Sequence, residues 1–432
     1  MASDTNTPKF HIAIVGGGIA GITLAIALMK HNISCAIYEQ GHAFSEIGAG
    51  VAFSPNAVWA MKICDKTIHT AFEKVATHNQ WPSKKNVFFD FIDGTTKSIA
   101  EPPATVFSLT NEQGANSVHR ADFMEEMAQL VPGEIAHFRK HLDDIAEDPS
   151  TGKLRLKFHD GTVAEADAVV GCDGIKSRTR AVLFGDDHPS AHPTYTHKYA
   201  YRAVVPMEKA VEVIGDERAQ NASLWMGPKS HVLTFPITQG KTFNLVAFQT
   251  DEGEWPSSNK LTLPAHKTDA LRDFKNFGPA VLRELELTNE DIDRWAIFDL
   301  GDHPVPSFYK GRICISGDAA HATSPHHGAG AGFCIEDSAV LSSLLADERV
   351  RSHRDLEAVF AAFDAARRER AQWLVQDSRR TGELYEWNAE GAGKDLKKIE
   401  DELRNSYAVI WNYDMDKAVE DAKAELGSRL KT

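Results

Sequence analysis

The feature that most constrains this chain is a glycine motif between an apolar strand pattern and a helical pattern. Residues 12–40 read IAIVGGGIAGITLAIALMKHNISCAIYEQ, and Gly16, Gly18 and Gly21 form a GxGxxG motif within them. In such a unit the first glycine allows a tight turn, the second lets backbone approach a diphosphate, and the third lets the helix pack closely on the strand. The diphosphate lies at the positive end of the helix. The segment therefore predicts a dinucleotide site.

An acidic residue at the end of the second predicted strand narrows the choice of dinucleotide. The carboxylate of Glu39 can accept hydrogen bonds from both ribose hydroxyls, and it repels a 2′-phosphate. The sequence therefore favours FAD or NAD over NADP at this position. The alternative is a glycine-rich helix start that binds no ligand, and the strand, helix and acid in register disfavour it.

Composition excludes several classes of function. With 432 residues and 42% hydrophobic content, the chain can bury a large core in two or three domains. A formal net charge of −14 argues against sequence-independent binding to nucleic acid or to anionic membranes. No membrane span or N-terminal leader is evident, so a cytoplasmic location is predicted. Neither a disulfide framework nor a metal site is expected from the five cysteines, which are Cys35, Cys64, Cys172, Cys314 and Cys334.

Two further glycine turns follow apolar strand patterns. The segment 168–171 runs into Asp173-Gly174, and the segment 312–316 runs into Gly317-Asp318. Between them, residues 195–250 are short alternating segments separated by turn residues, which is typical of an antiparallel sheet. An earlier hairpin is predicted across Asp93-Gly94, between 87–90 and 97–99. From Glu336 onward the pattern is helical.

Taken in order, the three glycine turns resemble those of the single-component FAD-dependent aromatic monooxygenases of the para-hydroxybenzoate hydroxylase type. Residues 317–337, GDAAHATSPHHGAGAGFCIED, are most similar to the salicylate hydroxylase branch. The likeness extends over nearly the whole chain. It implies an enzyme in which NADH or NADPH, as a transient reductant, reduces FAD. Oxygen then forms a flavin C4a-hydroperoxide that hydroxylates a small phenolic ring.

The resemblance also implies the architecture. We expect an α/β fold with a Rossmann-like FAD-binding domain, an inserted and mainly antiparallel β-sheet substrate domain, and a helical C-terminal region. The FAD-binding domain is expected to be discontinuous. The predicted limits are 1–75, 108–182 and 296–376 for the FAD-binding domain, 76–107 and 183–295 for the substrate domain, and 377–432 for the C-terminal region.

Several positions acquire expected roles from the resemblance. Glu39 matches the residue that binds the adenosine ribose, Arg120 one that contacts the ribityl or diphosphate region, and Asp318 one that binds the ribityl chain. Asp173 belongs to a motif associated with both FAD and the nicotinamide cofactor. Taken alone, Asp173-Gly174 is better explained as a plain turn and helix cap, with Ser177 and Arg180 on the surface.

Two glycine-rich segments are expected to approach the flavin ring. The loop 48–52, with Gly50 and Ala52, would lie against the isoalloxazine, although a surface turn explains the same residues. Residues 328–332, which include Gly330 and Ala331, precede a helix predicted to begin near Phe333, and bare N–H groups there can stabilise the negative charge of reduced flavin.

The candidate catalytic residues are His326 and Arg202. His326 matches a position beside the substrate ring in salicylate hydroxylases, and histidine suits the removal of a phenol proton at neutral pH. Arg202 resembles a substrate-contacting arginine of fungal phenol hydroxylases and could pair with a carboxylate or phenolate. An edge-strand arginine that faces water is the alternative. Among the other histidines, His321 is expected to be structural and His327 is undecided.

The substrate pocket is expected to be apolar. Trp225, Phe235 and Phe248 are its candidate lining residues, although aromatic side chains on alternating strands can also be simple core. Dearomatising relatives carry a tyrosine in the region of Phe235, and this departure disfavours dearomatisation.

Three functions remain open. The favoured one is decarboxylative hydroxylation of a salicylate-type substrate, with O2 as co-substrate. The second is hydroxylation or dearomatisation of a polyketide phenol in secondary metabolism. The third, of a different class, is a flavin-dependent NAD(P)H oxidase or reductase that transfers no oxygen to a substrate.

Overall fold

A computed structural model describes residues 10–44, 50–98, 103–257 and 260–431. The strands are β1 His11–Val15, β2 Ser34–Glu39, β3 Gly50–Ala52, β4 Val87–Asp93, β5 Thr105–Thr110, β6 Ser117–His119, β7 Ala136–Phe138, β8 Leu142–Glu147, β9 Leu154–Phe158, β10 Val163–Ala166, β11 Ala168–Gly171, β12 Thr194–Pro206, β13 Ser223–Gly227, β14 Ser230–Ile237, β15 Thr242–Thr250, β16 Thr262–His266, β17 Asp291–Asp299, β18 Tyr309–Lys310 and β19 Ile313–Ile315.

The helices connect and cover these strands. They are α1 Ile19–Lys30, α2 Pro55–Cys64, α3 Lys66–Val75, α4 Arg120–Ala128, α5 Arg178–Phe184, α6 Met207–Ile214, α7 Asp216–Ala219, α8 Lys267–Asp273, α9 Pro279–Glu286, α10 Asp318–His321, α11 Gly330–Leu345, α12 Leu356–Tyr385, α13 Leu396–Trp411 and α14 Met415–Arg429. Short 3-10 helices occur at Pro82–Lys84, Gly133–Ile135, Pro189–Ala191, Pro325–His327 and His353–Asp355.

A six-stranded sheet brings the three predicted glycine turns together. Its order is β18-β19-β11-β1-β2-β7, and β1 pairs in parallel with both β2 and β11. Val15 at the end of β1 lies beside Gly171, and Gly171 lies beside Ile315 at the end of β19. Because these strands run parallel, the turns that follow them emerge at one edge of the sheet. Ligands of open α/β sheets bind at this edge.

An eight-stranded sheet forms the second layer. Its order is β16-β17-β12-β15-β14-β13-β4-β5, and all its pairings are antiparallel except that between β13 and β4. The predicted α/β fold with a mainly antiparallel second sheet is therefore confirmed. The exact domain limits stay a prediction.

One strand partner differs from the sequence prediction. β4 pairs with β5, with Asp90 opposite Ser108, and the described residues 97–98 of the predicted hairpin form no strand. The partner comes from further along the chain because Phe91 and Phe107 stack at 4.5 Å between ring centroids and enter one apolar core. Of the predicted hairpin strand, Ile99 lies outside the described residues.

Helix α12 joins the two layers. Its first half, including Phe360, packs in the core around α1 and α11, whereas Leu384 and Tyr385 at its other end pack in the core beneath β4 and β5. The last residues of α12 therefore lie at the junction between the parallel sheet and the antiparallel sheet. In the described part of the chain, no helix combines the length and the apolar character needed to span a bilayer.

A carboxyl group is buried on the far face of the antiparallel sheet. Oε1 of Glu284, in α9, accepts a hydrogen bond of 3.1 Å from the Trp225 indole, and Oε2 has no partner among the described residues. Burial raises the pKa of Glu284 to about 8, against a smaller opposing effect of Arg218. The folded state therefore holds this group in its neutral form at neutral pH.

We expect Glu284→Gln to make stability less sensitive to pH. The folded pKa of Glu284 lies above its ordinary value of 4.5, so the wild type loses stability as pH rises from that value to about 8. Each unit of pKa difference is worth about 1.4 kcal/mol. Urea unfolding at about pH 5 and about pH 8.5 should show a gain for the variant that is larger at the higher pH. The exposed neighbour Glu286→Gln is the control, and equal gains at both pH values would contradict the assignment.

Candidate active site

A cavity of about 740 Å³ lies between the edge of the parallel sheet and one face of the antiparallel sheet. Most of the predicted site residues line it. At the parallel-sheet side these are Gly16, Gly18, Glu39, Gly50, Ala52, Arg120, Asp173, Asp318, Gly330 and Ala331, and at the antiparallel-sheet side they are Arg202, Phe235, Phe248 and His326. The residues 45–49, and with them the predicted contact of Gly48, lie outside the described residues.

Close packing at the first turn leaves no room for side chains. A Cβ at Gly16 would lie 2.4 Å from the carbonyl oxygen of Cys172, and one at Gly21 would lie 2.0 Å from the carbonyl oxygen of Gly16. Gly21 therefore does not line the cavity but lets α1 approach β1. Gly18 caps α1 without a side-chain hydrogen bond, so the first backbone N–H groups of the helix are open toward the cavity. This arrangement fits a diphosphate.

The Glu39 carboxylate is held in place by backbone. Its two oxygens accept hydrogen bonds of 2.6 Å from the N–H groups of Gly17 and Gly41. Each oxygen keeps further lone pairs for a ligand. Glu39 is thus an oriented acceptor at the edge of the cavity, as a ribose partner must be.

The turn after β19 is fixed by buried charges. Oδ2 of Asp337 accepts from the Gly317 N–H at 3.1 Å and contacts His321 Nε2 at 2.6 Å, and Oδ1 accepts from Arg367 at 2.8 Å. Burial alone would raise the pKa of Asp337, but His321 and Arg367 hold that pKa well below its ordinary range. His321 therefore has a structural contact, and Asp318 is left facing the cavity.

Asp173 makes contacts that also fit the alternative interpretation. Its carboxylate accepts from Ser177 Oγ at 2.6 Å and from the Thr179 N–H at 2.9 Å, which caps the start of α5. The expectation that Ser177 and Arg180 lie on the surface under that interpretation is wrong, because both are buried. Arg180 donates to the carbonyl groups of Ile175, Ala191 and Ala319. It thereby ties the second glycine turn to the third, a role that the sequence did not reveal.

Gly50 and Gly330 bring two further segments to the cavity. A Cβ at Gly50 would lie 2.4 Å from the ring of Phe235, so only glycine lets β3 reach this side chain. Gly330 is the first residue of α11, whose N-cap, Ala329, makes no side-chain cap. The N–H groups of the first turn therefore face the cavity as open donors. Together with the first turn, these donors form a cradle that fits FAD.

Arg202 faces the cavity from an inner strand. β12 lies between β15 and β17, which excludes the edge-strand alternative. The guanidinium lies 4.9 Å from the Trp295 ring centroid, and its Nε has no hydrogen-bond partner among the described residues. Burial, and secondarily the nearby Arg120, lowers the pKa of Arg202 to about 10. It remains a cation at neutral pH and is suited to binding an anion.

His326 is buried in an aromatic pocket without hydrogen bonds. Its ring centroid lies 5.0 Å from that of Phe248 and 5.2 Å from that of His231, and neither ring nitrogen has a partner within the described ranges. Burial lowers the pKa of His326 well below its ordinary value, with further lowering by His231 and Lys198. The imidazole is therefore neutral and can accept a proton or a hydrogen bond from a ligand. The sequence alone had indicated only an ordinary histidine pKa.

The lining of the substrate side is otherwise apolar, and Trp225 does not belong to it. Because side chains alternate along β13, Leu224 faces the cavity and Trp225 points to the opposite face, where it meets Glu284.

Two tyrosines that the sequence analysis missed complete the cavity wall. They are Tyr385 and Tyr407, and their hydroxyl oxygens lie 2.9 Å apart. They come from the C-terminal helices. The pattern that could have indicated them is the continuation of the apolar stripe of α12 to its last turn.

A second cavity of about 320 Å³ lies on the other side of His326. Lys198, Glu383 and Ser324 are among the residues that line it. Lys198 also pairs with the buried Glu386, whose other oxygen is 3.1 Å from Nδ1 of His231. These charged residues lie behind the substrate wall and were not identified from the sequence.

Comparison with known proteins gives consistent matches. The model of a family described as "FAD binding domain" matches residues 9–378. A dual trans-enoyl reductase/FAD-dependent monooxygenase, tazHJ of Aspergillus terreus, is 44% identical over 95% of this chain and 60% of its own length, so the chain spans less than two thirds of that relative. The salicylate hydroxylase asL1 of Sarocladium schorii is 39% identical over 96% of this chain and 90% of its own. A solved salicylate hydroxylase substrate complex superposes with a TM-score of 0.84 at 31% identity, covering 97% of this chain and 98% of the other.

We expect Gly18→Val to prevent FAD binding. The branched side chain would cover the open N–H groups at the start of α1 and keep a diphosphate from approaching. Losing about 3 kcal/mol would weaken binding on the order of 100-fold. The variant should therefore purify colourless and take up little FAD in a fluorescence titration. Exposed Gly133→Val, away from the cavity, is the control. A yellow Gly18→Val protein with its full FAD content would contradict this assignment.

Proposed function

We propose that this chain hydroxylates a small phenol with NADH or NADPH as the reductant. The chain belongs to the FAD binding domain family and is an FAD-dependent monooxygenase of the salicylate hydroxylase family. One observation supports the phenol most directly. A neutral histidine without hydrogen bonds, His326, and a buried arginine whose Nε has no partner among the described residues, Arg202, line the same cavity. These are the groups that removal of a phenol proton and binding of the phenolate require.

The cofactor would be held by the residues of the cradle. Glu39 would bind the ribose, the start of α1 the diphosphate and Asp318 the ribityl chain, and the N–H groups at the start of α11 would stabilise the reduced flavin ring. When bound and reduced, FAD activates O2 and supplies one electrophilic oxygen atom to the substrate. The second oxygen atom leaves as water, and the two electrons come from NAD(P)H.

The chain's own residues prepare the ring for this reaction. Arg202 would hold the phenolate oxygen and lower the pKa of the bound phenol, while a ring nitrogen of His326 accepts the proton. Both effects are needed because buried His326 is a weak base. A phenolate is more electron-rich than a phenol and reacts faster with an electrophile. The wall formed by Phe235 and Phe248 keeps water away from the reacting atoms.

Salicylate-type decarboxylative hydroxylation is the specific reaction we propose. The relative asL1 is named a salicylate hydroxylase, and the solved structure with the 0.84 TM-score is a salicylate hydroxylase substrate complex. When the attacked ring carbon carries a carboxylate, loss of CO2 restores aromaticity and gives a catechol. Phe235 offers no hydroxyl to the substrate, in contrast with the tyrosine of dearomatising relatives.

The second candidate is hydroxylation or dearomatisation of a larger polyketide phenol. The apolar wall extends beyond Phe235 to Phe88 and Phe89 and to the paired Tyr385 and Tyr407, which gives room for ring substituents. The relative tazHJ, which combines a trans-enoyl reductase with an FAD-dependent monooxygenase, also supports this candidate.

One assay distinguishes these reactions. Purified protein with FAD is incubated with NADH or NADPH and with salicylate, 2,4-dihydroxy-6-methylbenzoate or 2,4-dihydroxy-6-methylbenzaldehyde, and products are identified by mass. Catechol and CO2 support the proposed reaction, and an oxygenated product with the full carbon skeleton supports the second candidate. NAD(P)H oxidation that yields only hydrogen peroxide, whatever the phenol, would show an oxidase and contradict both.

We expect His326→Ala to retain FAD and lose hydroxylation. Loss of a proton acceptor lowers rates by about 100- to 10,000-fold in comparable systems. Product formation in single-turnover experiments should fall within this range while the flavin spectrum stays unchanged. The exposed His303→Ala serves as the control. Unchanged product formation would remove His326 from the mechanism.

We expect Arg202→Met to raise KM for the anionic substrate. A charge-assisted hydrogen bond is worth about 1.5–3 kcal/mol, so the rise should be on the order of 10- to 100-fold. The matched control is Arg294→Met. Arg294 also lies over an aromatic ring, that of Tyr199, but it is on the next strand and does not line the cavity. Equal effects of the two substitutions would show that Arg202 has only a packing role.

A further inference from the structure

One face of α12 packs against the turn that carries His326 and His327. The residues of this face lie about one helical turn apart and therefore point in the same direction. Ser378 Oγ donates to the carbonyl of Ser324 at 2.6 Å, immediately before the turn, which is the short 3-10 helix Pro325–His327. The face consists of Asp377, Ser378, Thr381, Gly382, Tyr385 and Glu386.

The two histidines of this turn are held in different ways. Nε2 of His327 lies 2.6 Å from Asp377 Oδ2 and 3.0 Å from the hydroxyls of Thr381 and Ser406. It is thus fixed by α12 and α13 through hydrogen bonds. His326 has none of these contacts, so the shape of its surroundings alone sets the orientation of its ring.

Gly382 provides the flat surface on which that ring rests. A Cβ at Gly382 would lie 2.6 Å from Cδ2, 2.8 Å from Nε2 and 2.9 Å from Cγ of His326. The glycine is not among those with left-handed backbone, so its conformation does not require the absence of a side chain. The space taken by the imidazole requires it. Glycine within a helix is normally unfavourable relative to alanine. The position of the histidine ring therefore requires a residue at 382 that lowers the stability of the helix.

We propose that Gly382 is a positioning residue that seats His326 and directs its free nitrogens toward the substrate, an inference that rests on the proposed role of His326 as proton acceptor. Phe248 and His231 close the other sides of the ring. A methyl group at position 382 therefore leaves the ring two directions of movement, into the substrate end of the main cavity or toward the second cavity. Both displace the nitrogens from the phenol.

A thermodynamic cycle tests the contact without any substrate. Thermal unfolding is measured for Gly382→Ala, His326→Ala, the double variant and the wild type. We expect Gly382→Ala to lower Tm by a few degrees in the wild-type background and to raise it in the His326→Ala background, where the clash is absent and helix propensity favours alanine. The same cycle with His303→Ala, an exposed residue, should show simple additivity.

If Gly382→Ala alone fails to fold, the double variant takes its place as the readout. A double variant that folds when the single variant does not gives the same support as the cycle. A double variant no more stable than the single variant overturns the proposal, as does an additive cycle.

A coupling measurement tests the effect on positioning. With the phenol converted by the wild type, Gly382→Ala should keep its flavin spectrum and oxidise NADH or NADPH. We expect the yield of hydroxylated product per NAD(P)H to fall about tenfold, with hydrogen peroxide in its place and with kcat for product affected more than KM. His303→Ala should retain wild-type coupling. Full coupling in Gly382→Ala overturns the positioning role even if the cycle shows the contact. Absence of product from wild type with every phenol contradicts the proposed function instead, and the cycle still decides whether Gly382 seats His326.

Discussion

The structure depends on the parallel register of β1, β11 and β19, which places three strand ends at one sheet edge. The backbone segments that follow these strands can approach one another so closely only because glycine has no side chain. The carbonyl oxygen of Cys172, after β11, lies only 2.4 Å from the position that a Cβ of Gly16 would take, and Gly317, after β19, packs against Ala20 of α1. Arg180 adds hydrogen bonds between the second and third turns. The starts of α1 and α11 and the carboxylates of Glu39 and Asp318 therefore line one cavity, although they are far apart in sequence.

Buried charges hold the helices around this edge. Arg367 of α12 pairs with Glu336 at 2.7 Å and with Asp337 at 2.8 Å in α11, and Asn56 of α2 donates to Glu336 at 2.5 Å. Breaking such a buried pair leaves an uncompensated charge and is strongly destabilising. The network therefore fixes α11, whose first turn lines the cavity, relative to α12, whose last turn contributes Tyr385 to the cavity wall. The cofactor and substrate ends of the cavity are joined through one ionic cluster.

Local patterns in the sequence predicted the parts of this arrangement that depend on local chemistry. The GxGxxG motif, Glu39 and the strand-to-glycine turns specify backbone conformation over a few residues, and Gly16, Gly18, Glu39, Asp173 and Asp318 all line one cavity. Their contacts with FAD stay a prediction. His326 and Arg202 could be placed by resemblance, but their electrostatic states could not, because desolvation depends on residues from β14, β15 and α12.

Trp225 shows that residue type alone does not predict which face of a strand a side chain occupies, because that depends on the register of the strand. It lies one residue from cavity-facing Leu224, and that single position sends it to the opposite face. The pairing of β4 with β5 depended on the stacking of Phe91 on Phe107, a contact that turn residues at Asp93-Gly94 do not reveal.

The division of labour between the adjacent histidines follows from the cost of burying polar groups. A buried imidazole nitrogen without a partner costs about 1–3 kcal/mol, so folding favours the arrangement of His327 Nε2, which has Asp377, Thr381 and Ser406 within hydrogen-bond distance, although Nδ1 of His327 has no partner among the described residues. His326 bears that cost at both nitrogens. A ligand that supplies a hydroxyl donor recovers part of it on binding, and the surrounding aromatic rings prevent water from doing so first. The same apolar surroundings keep the imidazole neutral and therefore able to receive a proton. An unsatisfied, uncharged histidine and a buried arginine that line one cavity are consequently what a site for a phenol needs before the phenol arrives.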